Sequence, residues 1–182
     1  SNFEDKHVKE AVQLSKYDGT FVAVPIGSHR LNELFYNKNV VEEAGVNPDD
    51  ISNFQGLIGA LKKVQQNTDK IPMTQAMKLP FHNLQLFGTT MLSTQGYKPY
   101  MNFTKGKGNK KEVAAALEST KQILSNYINN DASSTALTGS MNNIMDGNAA
   151  FIHQGNWAAG AFKNKQGFDY GKDWDNVTFP GT

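Results

Sequence analysis

The chain has 182 residues, 38% of them apolar, enough to fill one core and too few for two comfortable domains. Its formal net charge of +1 leaves no basic footprint for nucleic acid or an anionic membrane, and the lack of cysteine excludes disulfides and thiolate metal sites. No run approaches the length of a membrane span, and no signal peptide opens the chain.

Ser1-Asn2 lacks a methionine and reads as a remnant of cloning, while Pro180-Gly181-Thr182 stops just as a turn begins, so a fragment of a longer chain is expected. Residues 3–16 are weakly amphipathic through Val8, Ala11, Val12 and Leu14. Tyr17-Asp18-Gly19-Thr20 is a hairpin signal, across which residues 12–16 can pair with 20–24. Pro25 cannot donate to a ladder, so that strand ends or lies at an edge there. Residues 26–30 follow as a bend and 31–36 as a short strand. Asn37 opens a helix over 38–44, closed by Gly45. Ser52 and Gln55 form a capping box for a helix through Gln66 that buries Phe54, Leu57, Ile58, Leu61 and Val64.

Residues 71–76 read as a strand, with Pro72 marking an edge. A second amphipathic helix runs from Phe81 through Leu84, Phe87, Met91 and Leu92 to Gly96. Residues 97–108 read as a loop, with Lys105, Lys107, Lys110 and Lys111 as a solvated tip. Asn109 and Glu112 cap the longest helix, 110–128, whose stripe is Val113, Leu117, Thr120, Leu124, Tyr127 and Ile128. A polar linker spans 129–137, then a short helix spans 139–146 with Met141, Ile144 and Met145 inward, ended by Gly147. Residues 167–176 read as a turn-rich loop before a last strand at Val177-Thr178-Phe179. Helices and strands alternate, so the class is α/β, and no internal repeat is present.

The stretch from His153 to Gly160 carries the functional signal. Ala149-Ala150-Phe151-Ile152 reads as a buried strand, and Trp157, Ala158, Ala161 and Phe162 recur at helical spacing with Asn156 placed as cap. A strand that turns into a helix at a glycine delivers side chains to the carboxyl edge of a sheet, where open α/β sheets bind ligands. Trp157 there offers a flat apolar face with one donor, suited to a ring with apolar faces and a polar rim. The alternative is a core anchor for its helix.

Several segments in order resemble the family 1 extracellular solute-binding proteins, the carbohydrate-binding components of ABC importers related to maltose-binding protein. They are Tyr17-Asp18-Gly19-Thr20 with Phe21-Val22-Ala23-Val24-Pro25-Ile26, Phe35-Tyr36-Asn37-Lys38, and Glu42-Glu43-Ala44-Gly45. Asp146-Gly147-Asn148-Ala149-Ala150-Phe151, Gly155-Asn156-Trp157-Ala158-Ala159-Gly160 and Phe179-Pro180-Gly181-Thr182 continue the series. The resemblance implies one lobe of a periplasmic-binding-protein type II-like two-lobe fold, a sheet flanked by helices. Residues 1–27 would be a hairpin and first inter-lobe crossover, 28–176 the incomplete second lobe, and 177–182 the start of the return crossover. It also implies a sugar ligand, permease subunits as partners, no cofactor, and a bacterial, extracytoplasmic location with a lipid anchor upstream.

Sugar recognition needs an aromatic platform and a polar rim. The resemblance places Trp157 as platform and His29, just after the crossover, as a rim group that both donates and accepts. Arg30 serves the same rim or pairs with Glu33. Phe81 and His82 open a helix at the cleft, and Gln154 and Asn156 offer amides at the strand-to-helix turn. Asn156 replaces the acidic residue common in that turn, which puts one carboxylate–hydroxyl contact in doubt. Asp173, Trp174 and Asp175 read as surface decoration. A carbohydrate-active hydrolase, or a module that binds carbohydrate or protein without transport, stays open as an alternative. Yet His29, His82 and His153 show no metal-ligand spacing, no G-x-S-x-G elbow exists, and Gly106-Lys107-Gly108 is no phosphate loop.

Overall fold

The computed structural model describes residues 4–182; the reading of Ser1-Asn2, and Phe3 at the start of the amphipathic stretch, lie outside the described residues. Helix α1 (Lys9–Leu14) leads into β1 (Lys16–Tyr17), which pairs antiparallel with β2 (Thr20–Phe21). Asp18 and Gly19 take φ of 47° and 75°, the left-handed pair a two-residue hairpin requires. The hairpin is therefore where the sequence puts it. It is shorter than 12–16 against 20–24, because α1 holds Val12 to Leu14. From Val22 to Arg30 the chain is exposed or nearly so and joins no strand; Ile26 is 99% exposed.

Strand β3 (Glu33–Asn37) is buried along its whole length. The Asn37 side chain accepts from Val40 N and caps α2 (Lys38–Glu43). Helix α3 (Phe54–Asn67) buries all five expected side chains plus Ala60. Its cap is Asn53, which accepts from Gly56 N at 2.9 Å, in place of the expected Ser52 box. Strand β4 (Ile71–Thr74) leads to α4 (Pro80–Gln95), where Pro80 occupies the first turn, in which its missing N–H costs nothing.

The expected loop after Gly96 is instead helix α5 (Tyr97–Thr104). Pro99 sits in its first turn, where a missing N–H is tolerated, and Phe103 packs edge-on against Phe87 of α4 at 5.3 Å. Helix α6 (Lys110–Asn126) is capped by Asn109, as expected, through Lys111 N. Its buried face is Ala116, Thr120 and Ile123, while Leu117, expected inward, is 52% exposed. The small Ala116 lets α6 lie closely on Phe87 and Met91 of α4. The polar linker is ordered: Asn129 is buried, accepts from Gln75 N at 2.7 Å and donates to Asp131 at 2.7 Å.

Helix α7 (Leu137–Met145) precedes β5 (Ala149–Gln154), which runs two residues beyond the expected strand, and α8 (Ala158–Lys163) follows. Strand β6 (Trp174–Thr178) starts inside the expected loop. Trp174 is a core residue and not surface decoration: it lies among Phe35, Phe162 and Phe168 and donates from Nε1 to the Phe168 carbonyl.

The main sheet has the order β4-β5-β3-β6, with β4 parallel to β5 and β3 antiparallel to both neighbours. Pro72 lies on an edge strand, as its missing donor requires. Successive residues face opposite cores. Leu34, Tyr36 and Phe151 pack with α2 and α3, while Phe35 and Ile152 pack with Ile144 of α7 and Phe162 of α8. Burial of both faces gives a sheet flanked by helices, as expected.

Candidate functional site

The carboxyl ends of β4, β5 and β6 and the amino end of β3 share one edge of the sheet, because Glu33 of β3 lies opposite both Gln154 and Thr178. The chain enters the sheet there and leaves it there. The Asn32 carbonyl accepts from Phe179 N at 2.7 Å, and the Asn32 amide donates to Thr182 Oγ1 at 2.8 Å.

At this edge β5 gives way to Gly155-Asn156-Trp157. Trp157 is half-buried, one side against the Phe35–Phe162 core. Its indole folds back over Gly155 so closely that a Cβ on that residue would collide with the ring, which explains glycine there. His29 stands edge-on to Trp157 at 5.5 Å, and Phe81 lies tilted beside it at 6.2 Å. Three residues far apart in sequence thus form one aromatic surface.

Asn156 does not cap α8 through its side chain; that end has no side-chain cap. Its Oδ1 lies 3.0 Å from His29 Nδ1. Its backbone N–H donates to the Arg30 carbonyl at 3.0 Å. Arg30 Nε pairs at 2.8 Å with Glu33, whose second oxygen accepts from Asn176 at 2.8 Å. Pairing with Glu33 is one of the two roles expected of Arg30.

Beneath the platform lies a polar layer. Gln154 is 1% exposed, and its Nε2 faces His82 Nδ1 at 3.4 Å. Gln75, at the end of β4, donates to the His82 carbonyl at 3.4 Å, and Gln85 donates to the Leu31 carbonyl at 2.9 Å. His153 Nε2 meets Thr89 Oγ1 at 3.0 Å. Burial pushes the His153 imidazole down to about 4, opposed by the Leu31 backbone and helped by His82. Burial also lowers His82, opposed by Gln85. Both rings are therefore neutral at pH 7. Gln75, Gln85 and Thr89 escape sequence reading; only the position of Gln75, directly after a strand that ends at this edge, pointed to it.

Beside the platform, Phe81 is 50% exposed and also walls a cavity of about 520 Å³ between α4 and α5, with Leu31, Leu84 and Tyr100. Among the described residues no group of His, Asp and Glu is placed to hold a metal ion. The edge offers flat apolar rings, neutral donors and neutral acceptors. Such groups suit an uncharged polyhydroxylated ring.

The family described as bacterial extracellular solute-binding protein matches residues 2–181. The xylose/arabinose-binding protein XacG of Haloferax volcanii is 44% identical over 180 residues, covering 99% of this chain and 39% of its own length. A probable sugar-binding periplasmic protein of Mesorhizobium japonicum is 27% identical over 183 residues, covering 98% of this chain and 42% of its own. A structure from work on xylan utilization by the thermophilic bacterium Caldanaerobius polysaccharolyticus superposes with a TM-score of 0.85. Its identity is 17%, over 99% of this chain and 46% of that one, and it speaks for the fold alone. The chain thus spans about two-fifths of the curated relatives' length.

Proposed function

The chain belongs to the family of bacterial extracellular solute-binding proteins, and from that premise we propose that it is the second lobe of a sugar receptor serving an ABC importer. Members of this family work outside the cytoplasm, and they are binding proteins rather than enzymes. The observation that carries the sugar reading is the surface of Trp157, Phe81 and His29 at the carboxyl edge of the sheet, with a neutral polar layer below it. A sugar ring lies on Trp157, and its hydroxyls meet His29, Asn156 and His82. The relative at 44% identity is named for xylose and arabinose, so pentoses are the first candidates.

The exposed segment from Val22 to Gly27 serves as the crossover to a first lobe, with 177–182 as the return. Closure of the lobes sequesters the sugar and creates the form that the permease subunits recognise. An upstream lipid anchor would hold the receptor at the membrane. The reading includes no chemistry on the sugar, in keeping with relatives named as binding proteins.

The test is isothermal titration of the full-length protein with D-xylose, L-arabinose, D-glucose and maltose. Binding of one sugar, weakened tenfold or more by Trp157→Ala, is expected; that is a loss of about 1.4 kcal/mol or more. Unchanged affinity in Trp157→Ala would remove the platform from the ligand site, and silence across the panel would sink the sugar reading.

A further inference from the structure

We propose that Gln154 is a positioning residue that fixes the tautomer of His82, making His82 a donor-only group that reads one oxygen of the ligand. The inference rests on the sugar-binding reading for the identity of the ligand but not for the state of the ring.

Gln154 is the last residue of β5, and its side chain is enclosed between the sheet edge and the first turn of α4. Its amide nitrogen, which can only donate, faces His82 Nδ1. Nδ1 must then accept, and a neutral imidazole that accepts on Nδ1 carries its proton on Nε2. The ring is held in other ways too. Phe81 meets it edge-on at 5.4 Å, and Gln75 binds the His82 carbonyl, fixing the start of the helix that carries it. His82 is 5% exposed, so water cannot readily exchange one tautomer for the other.

The groups facing the ring are the amides of Gln154 and Gln85, the Phe81 ring and the neutral His153. Glu33, opposite Gln154 in the sheet, has both oxygens engaged elsewhere. No carboxylate is therefore free to draw the proton to Nδ1. The same arrangement explains why an amide stands at position 154. A carboxylate would pull a proton onto Nδ1 and charge the ring, and an apolar side chain would leave the tautomer unset. A fixed Nε2–H selects an acceptor, and a buried donor left without one penalises a ligand that lacks oxygen at that place.

The experiment is long-range 15N–1H correlation of the histidine rings in the ligand-free full-length protein at neutral pH, followed by titration with the sugar the protein binds. The native His82 is expected to show protonated Nε2 and unprotonated Nδ1. Gln154→Met is expected to mix the tautomers and weaken sugar binding about tenfold. Gln154→Glu is expected to place a proton on Nδ1; the charged ring keeps its Nε2–H at low pH, but the neutral ring then holds its proton on Nδ1, so sugar affinity is expected to fall as pH rises. A native Nδ1–H ring overturns the proposal whether or not any sugar binds. So does Gln154→Met with an unchanged ring spectrum and unchanged affinity. If the native ring is Nε2–H but no sugar binds, the sugar reading fails, and with it the reading of a ligand oxygen.

Discussion

Helices α3 and α4 are of similar length, both amphipathic in sequence, and both contribute to one core, where Leu86 of α4 joins Leu57 and Leu61 of α3. Their buried faces differ in kind. Helix α3 buries six apolar side chains and nothing polar, whereas α4 buries His82, Gln85, Thr89 and Thr90 beside Leu86, Phe87 and Met91. Conversely, α4 leaves Phe81 and Leu84 half or more exposed. Burying a polar group costs about 1–3 kcal/mol unless its bonds are replaced, so stability alone does not favour α4's arrangement. One helix is built to hold the sheet; the other gives up some apolar packing to place polar side chains beneath the aromatic surface.

The widest gap between the two is expected from cavity formation. Leu61→Ala in α3, where the side chain is fully buried, should cost about 2–5 kcal/mol in urea unfolding. A loss under about 1 kcal/mol would mean that α3 is not the stabilising partner. Next comes acid. The folded His153 refuses a proton down to about 4, while the unfolded imidazole takes one near 6.5. Stability is therefore full above about 6.5 and falls as pH drops toward about 4, by about 3 kcal/mol relative to His153→Gln. Parallel stability–pH curves for the two proteins would show that the polar layer carries no such penalty. The smallest effect belongs to the exposed side of α4. Leu84→Ser should change unfolding free energy by about 0.5 kcal/mol or less, because its side chain is largely in water already.

The same contrast decides what could be read from the sequence. The face of α3 follows from spacing alone, because every buried position is apolar. In α4 the helix and its end at Gly96 were legible, but its buried face was not, since a rule that sends apolar residues inward turns Leu84 the wrong way. Trp157, Phe81, His82 and His29 could each be singled out by position after a strand, a crossover or a proline. Their meeting on one surface depends on the β5–β3 register, which no local pattern encodes. Trp174 was misplaced for another reason: it fell in a stretch read as a turn-rich loop, which made a core residue look like surface. Helix α5 was missed because its stretch, followed by a run of lysines, reads as a loop.

The segments leading into and out of the sheet are laced to each other at Asn32, through Phe179 N and Thr182 Oγ1. Everything from Glu33 to Thr178 is thus a loop drawn shut at its neck. The same segments are also fastened to the body itself, where the Arg30 carbonyl accepts from Asn156 N, the Leu31 carbonyl from Gln85 and the Pro180 carbonyl from Ser93 Oγ, so a pull on either end is spread over several hydrogen bonds outside the sheet. Both ends of the body are thus held side by side at the edge that carries the aromatic surface, rather than at opposite ends of the sheet.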